Sequence, residues 1–229
     1  MASPLHVISS SATRDVLREL AAHYERATAK AVTTEAAGGI DVAKRIERGD
    51  ALEVVVLAAN VIDRLIGQGR VLAGSRVDLV KSGVAIAVRA GAKKPNVATE
   101  EAIKRAVQSV KSLSYSTGPS GVHLEKTFAR WGILEDIRPR IVVAPPGVPV
   151  ASLVADGTVE IGFQQLSELM SVPGVEVIGP LPASIQTITV FSGGIATNCR
   201  RPDEARALLA FLASPAAADA KLRYGMEPA

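Results

Sequence analysis

The run Glu53-Val54-Val55-Val56-Leu57 constrains the fold most. It has strand length and β-branched character but no polar face, so a strand here must be covered on both sides. Val84–Val88 repeats the pattern. Between such runs lie amphipathic stretches with helical spacing. Thr13–Ala27 puts Val16, Leu17, Leu20, Ala21 and Tyr24 on one face, and Asp41–Arg48 ends at Gly49. Further helices are expected over Val61–Gln68, Thr99–Lys111, Ser120–Trp131, Val150–Ala155, Asp203–Ala213 and Ala216–Tyr224. Leu5–Ile8, Leu113–Tyr115, Ile141–Val143, Ile161–Phe163, Val175–Ile178 and Ile185–Phe191 read as strands. Strands separated by helices make an α/β protein with mainly parallel sheets flanked by helices.

Val80–Val84 and Thr189–Ser192 fall between the repeats and read as two strands crossing between lobes. Residues 1–82 with 190–229 then form a discontinuous first lobe, and 83–189 an inserted second one. A single continuous sheet fits the same periodicity.

Two turns stand out chemically. Ile8-Ser9-Ser10-Ser11-Ala12-Thr13 and Tyr115-Ser116-Thr117-Gly118-Pro119-Ser120-Gly121 each follow a strand and open a helix. A helix N-terminus leaves amide protons unpaired and carries partial positive charge, so it attracts anions. Hydroxyls there add donors, and glycine admits close backbone approach. Ser and Thr are also ordinary helix caps, so either turn alone has a purely structural reading.

Composition excludes several classes. Aromatic residues are 3% of the chain against 48% hydrophobic overall, which leaves little for stacking bases or sugars. The net charge of +3 is spread along the chain, unlike a phosphate-tracking stripe. Cys199 is the only cysteine, and His6, His23 and His123 share no metal-ligand spacing with it, so neither a disulfide, a metal nor a cofactor is expected. No run reaches the ~20 apolar residues of a membrane span, and Met1 opens no signal peptide. The expectation is a cytoplasmic location for the chain as written, and a periplasmic one if it is a processed form.

The order of several pieces resembles the type II periplasmic binding proteins, in the branch of the molybdate-binding receptors. These pieces are Val7-Ile8-Ser9-Ser10-Ser11, Ile46-Glu47-Arg48-Gly49-Asp50-Ala51, Leu65-Ile66-Gly67-Gln68-Gly69, Tyr115-Ser116 with Pro119-Ser120-Gly121, Trp131-Gly132-Ile133, and Glu160-Ile161-Gly162-Phe163-Gln164-Gln165. The resemblance implies a two-lobed protein that closes over a small anion, an oxyanion or a carboxylate, in an interlobe cleft. It implies Ser9, Ser10, Ser11, Ala58 and Ala59 as ligand contacts from one lobe. From the other it implies Ser116, Thr117, Ser120, Gly121, Gln164 and Gln165. The implied partners are that small molecule and an ABC-transporter permease. Neither nucleic acid nor membrane insertion is implied, and the protein is expected to be a monomer.

Three positions depart from the molybdate receptors. Thr33-Thr34-Glu35-Ala36-Ala37-Gly38-Gly39 replaces a Ser-Gly turn and brings in an acidic residue, Glu53 replaces an aspartate, and glutamine stands where a tyrosine is expected. A carboxylate, or an uncharged metabolite held by amides, therefore stands beside molybdate as an expected ligand. The alternative function is an isomerase or dehydratase of a small carboxylate on the same scaffold. His123, Glu125 and Glu35 are its candidate general bases, the first two in the first turns of the Ser120 helix and Glu35 in the Thr33–Gly39 segment. Arg14, one turn into the first helix, could meet a carboxylate or simply face solvent.

Overall fold

In the computed structural model, which describes residues 3–145 and 147–229, the run at Val54–Leu57 is buried on both faces. Alternate side chains go to opposite layers: Val54 and Val56 join one apolar cluster, Val55 and Leu57 another.

The chain divides into two units, Met1–Ser82 with Thr189–Ala229, and Gly83–Ile188. The first begins with β1 (Leu5–Ser10), a short 3-10 turn at Ser11–Thr13 and α1 (Arg14–Thr28). β2 (Val32–Ala37), α2 (Gly39–Arg48), β3 (Val54–Ala58), α3 (Ala59–Gly67) and the first half of β4 (Val77–Arg89) follow. The second unit takes the rest of β4, then α4 (Glu100–Ser109), β5 (Leu113–Tyr115), α5 (Pro119–Arg130), α6 (Leu134–Ile137), α7 (Val150–Ala155), β6 (Ile161–Gln165), α8 (Leu166–Met170) and β7 (Val175–Pro180). β8 (Ile188–Ile195) returns the chain to the first unit, where α9 (Pro202–Ala213), α10 (Ala218–Arg223) and β9 (Glu227–Pro228) complete it.

In the first unit β2, β1 and β3 run parallel, with Ser10 opposite Ala37 and Ser9 opposite Val56. β8 joins β3 antiparallel. One face of this sheet packs on α1, α9 and α10, the other on α2 and α3. In the second unit β5 and β6 are parallel, and β6 and β7 pair antiparallel with β4. Val84, Ile86, Leu113, Ile161 and Phe163 face α4 and α5, while Ala85 and Ala87 face α7. Both units are thus sheets sandwiched by helices, with parallel strands where the serine turns lie.

Three local readings change. Thr33–Gly39 is not a turn: its first five residues belong to β2, held by six residues of parallel register with β1. Tertiary pairing here outweighs the weak strand propensity of Glu and Ala. Ile141–Val143 makes only an isolated bridge to Leu113, because the prolines that follow cannot extend a ladder. The last long strand begins at Ile188 rather than Ile185, since the preceding segment is tied down by the Gln186 side chain. That amide accepts from Val84 N–H (2.9 Å) and donates to the carbonyls of Val84 (3.0 Å) and Leu181 (3.2 Å).

One charged side chain is enclosed in the first unit. Lys221 on α10 is 1% exposed and shares a small cavity with Leu17, Leu20, Leu79 and Leu212. Burial holds its amine below the usual lysine pKa.

Candidate functional site

The first unit brings the C-terminal ends of three parallel strands, β2, β1 and β3, to one edge, and each opens directly into a helix. Ligands of α/β sheets bind outside such strand ends. Neither the Ser11 turn nor α1, α2 and α3 receives a side-chain cap. Amides at Gly39, Ile40, Ala59 and Asn60 lie in first turns, where a helix supplies no carbonyl partner.

Ser9, Ser10 and Ser11 lie in this edge with distinct environments. Ser9 Oγ donates to the Ser10 carbonyl (3.2 Å), as does Thr13 Oγ1 (3.2 Å). Ser10 is 7% exposed, and its hydroxyl oxygen is buried with no hydrogen-bond partner. An unsatisfied buried hydroxyl costs about 1–3 kcal/mol. Those of Ser82 and Ser114 share this state, and Ser10 is set apart by the uncapped helix starts beside it. The Ser10 Cβ lies 3.9 Å from where a Cβ on Gly39 would stand, so this serine sits against the start of α2. Ser11 Oγ accepts a long hydrogen bond from Arg14 Nη2 (3.4 Å). Ala58 and Ala59 contribute the junction of β3 and α3.

In the second unit the strand ends are Tyr115 and Gln165, leading to α5 and α8. Ser116 Oγ and Ser120 Oγ are hydrogen-bonded to each other (2.8 Å), across the start of α5. Pro119 has no amide proton, and the amides of Gly121 and Val122 both reach the Gly118 carbonyl (3.0 and 3.1 Å). Ser120 therefore holds the amide left over in that first turn. Gly121 has a steric role: a Cβ there would come within 1.6 Å of the Ser116 carbonyl oxygen. Thr117 is exposed on the loop.

The two glutamines part company, as successive residues on a strand must. Gln164 Oε1 accepts the Ala151 amide at the start of α7 (3.0 Å), so its side chain serves that helix. Gln165 is buried at the strand end, next to α8.

Each candidate base is already engaged. Glu35 pairs with Arg45, and its carboxylate lies 3.6 Å from His6 Nε2. The hydrogen bond from Arg45, which outweighs some burial, holds the Glu35 carboxyl below the usual value. It therefore belongs to the β2–α2 packing and adds no free negative charge to a turn. His123 Nε2 contacts the Ile185 carbonyl at 2.9 Å. Glu125 accepts from the Tyr115 hydroxyl (2.9 Å), and burial first, then this carboxylate, pushes the Tyr115 pKa up. Glu53, at the position of the expected aspartate, accepts from the His6 amide (2.9 Å) and forms an ion pair with Arg201 (2.8 Å).

Sequence reasoning missed Gly38-Gly39 as the uncapped start of α2; the signal was a glycine pair closing a strand. It also missed Asp41 in that first turn, whose carboxylate stands 3.2 Å from the Cβ position of Gly38. Among the described residues no cluster of His, Cys, Asp and Glu could hold a metal ion, and no helix is long and apolar enough to cross a membrane.

The family model for bacterial extracellular solute-binding proteins matches residues 5–227. A Pseudomonas sp. protein named aconitate isomerase is 36% identical over 230 residues, covering 98% of this chain and 87% of its own. The periplasmic molybdate-binding protein of Azotobacter vinelandii superposes with a TM-score of 0.82 at 21% identity, covering 97% of this chain and 98% of its own. A periplasmic thiamin-binding protein superposes with a TM-score of 0.77 at 15% identity, covering 100% of this chain and 84% of its own. At these identities the structural likeness fixes the fold, that of the two-lobed periplasmic binding proteins.

Proposed function

Because the chain belongs to the bacterial extracellular solute-binding proteins, we propose that it binds one small carboxylate by closure of two lobes, 1–82 with 190–229 and 83–189. In this reading the turn at Ser9–Ser11, with Ala58 and Ala59, grips the ligand from one lobe. Ser116, Thr117, Ser120 and Gln165 complete the contacts from the other, and the protein delivers its ligand to an ABC-transporter permease. The supporting observation is Ser10: a buried hydroxyl with no partner, beside helix starts with no caps. Neutral donors suffice for an anion, since each hydrogen bond to a charged group contributes about 1.5–3 kcal/mol. The name of the 36% identical relative directs the ligand class toward aconitate and related polycarboxylates.

Thermal denaturation with trans-aconitate, cis-aconitate, molybdate and thiamin tests this reading. A ligand at 100 times its Kd stabilises by about 2.7 kcal/mol, so a polycarboxylate raises the melting temperature clearly. A shift with molybdate alone, or an undiminished aconitate shift in Ser10→Ala, overturns it.

The relative's name also favours a second reading, an isomerase. Converting cis- to trans-aconitate needs a base to remove a proton from the methylene carbon beside the double bond. The electron pair spreads over the allyl system, and a proton returns at its other end, with no net gain or loss of atoms. Of the candidate bases, His123 needs the smallest change, because its contact uses one ring nitrogen and leaves the other available. Proton NMR of cis-aconitate incubated with the protein decides: growth of trans-aconitate signals, lost in His123→Ala, establishes catalysis, and unchanged spectra leave a receptor.

A further inference from the structure

Arg14 is the first residue of α1 and projects from the serine turn, with its guanidinium on Ser11 Oγ (3.4 Å). It is exposed, and among the described residues no carboxylate pairs with it. Several other arginines of this unit are paired, while Arg26 near the end of α1 is not, among the described residues. Arg18, one turn later, is paired with Asp15 (2.7 Å), which is the acidic residue of the first turn of α1. Arg45 and Arg48 are both taken by Asp50 (3.0 and 3.5 Å). The local charges on the strand edge are otherwise unfavourable to an anion, because Asp41 stands over Gly38 at the start of α2. The buried, partnerless Ser10 hydroxyl, four residues before α1 begins at Arg14, offers a place for a ligand atom to seat.

From this arrangement we infer that Arg14 is the specificity residue that reads ligand charge, turning from Ser11 to a carboxylate that projects beyond the neutral hydroxyl and amide cradle. The inference rests on the carboxylate-binding reading and extends it by assigning the residue that favours a polycarboxylate over a ligand with fewer charges. An arginine suits this role, since its planar fork matches a carboxylate bidentately and its charge persists at any physiological pH. Ser11 supplies a resting partner for it, so the side chain is near its bound position before the ligand arrives.

The test is isothermal titration with trans-aconitate, which has three carboxylates, and itaconate, which has two. Wild type is compared with Arg14→Gln, Arg14→Lys and Arg18→Gln at low and physiological salt. Wild type binds trans-aconitate more tightly than itaconate. Arg14→Gln loses about tenfold for trans-aconitate, keeps its itaconate affinity within about threefold, and shows a shallower salt dependence. Arg14→Lys recovers part of the loss, while Arg18→Gln binds like wild type. Circular dichroism confirms that each variant is folded. If wild type binds both probes and Arg14→Gln matches it on both, the assignment to Arg14 is overturned while the carboxylate reading stands. Equal losses in Arg14→Gln and Arg18→Gln also overturn it, because they report only the general positive field of α1. If wild type binds neither probe, the carboxylate reading itself has failed and takes this assignment with it.

Discussion

The two serine turns look alike in sequence but carry different reserves of hydrogen-bonding capacity. At the edge of the first unit, three strand ends enter uncapped helices and Ser10 keeps a hydroxyl without a partner. At the start of α5 most capacity is internally consumed. Ser116 and Ser120 satisfy each other, Pro119 lacks a proton, and Gly121 bonds back to Gly118. On the proposed reading the first turn has capacity left for a ligand, whereas the second must exchange existing bonds to accept one. Net gain from a hydrogen bond depends on what it replaces, so equal numbers of serines do not give equal shares of affinity.

The largest expected effect comes from glycines that occupy corresponding helix starts. Gly121→Ala forces a Cβ against the Ser116 carbonyl, costs about 2–4 kcal/mol of stability and abolishes ligand-induced shifts in thermal denaturation. Gly39→Ala meets nothing closer than 3.8 Å, so it leaves stability unchanged or raises it by up to about 1 kcal/mol. Equal behaviour of the two variants would break the contrast. Next, Ser10→Ala weakens carboxylate binding about tenfold or more in titration calorimetry, while the free protein melts at the same temperature or slightly higher. A lower melting point with full affinity would show that Ser10 serves the fold alone.

Lys221→Met acts on the first unit without touching its turn. The folded state depresses the Lys221 pKa below 10.5, so below that depressed value the native protein must carry an ill-solvated charge. Stability from this group rises as pH climbs from the depressed value toward 10.5. Lys221→Met accordingly melts higher at pH 7, by about 1 kcal/mol equivalent, and the advantage shrinks toward pH 10. An advantage that does not vary with pH would place its origin in packing instead. The smallest effect is that of Ser120→Ala, which removes one donor but frees Ser116. Affinity falls only about two- to fivefold, measurable by calorimetry, and a loss as large as that of Ser10→Ala would erase the distinction between the turns.

Strand β5 and helix α7 were legible in the sequence at Leu113–Tyr115 and Val150–Ala155, where mostly apolar segments end at Ser116 and at Asp156-Gly157. β3 was legible because a wholly apolar strand has few alternatives. β2 was hidden, since it owes its strand state to β1 rather than to its own Thr, Glu and Ala residues. The role of Glu35 was hidden with it: its partner Arg45 is ten residues away and arrives only when α2 packs beside β2. At the candidate site, the serines were visible as residue types. Their hydrogen-bonding state was not, because Ser9, Ser10 and Ser116 differ only in neighbours that the fold supplies. The separation of Gln164 from Gln165 was readable in principle from strand alternation, but which one would face α7 required the register of β6.

The interrupted assignment of the first unit has a topological corollary. Both chain ends belong to it, and Gly83–Ile188 is attached by two covalent strands rather than one. Severing the polypeptide once, anywhere in that insertion, leaves every fragment still bearing part of the unit that holds the termini. Full release of the insertion requires two cuts, so a protease that nicks a surface loop there would yield a clipped but undissociated molecule.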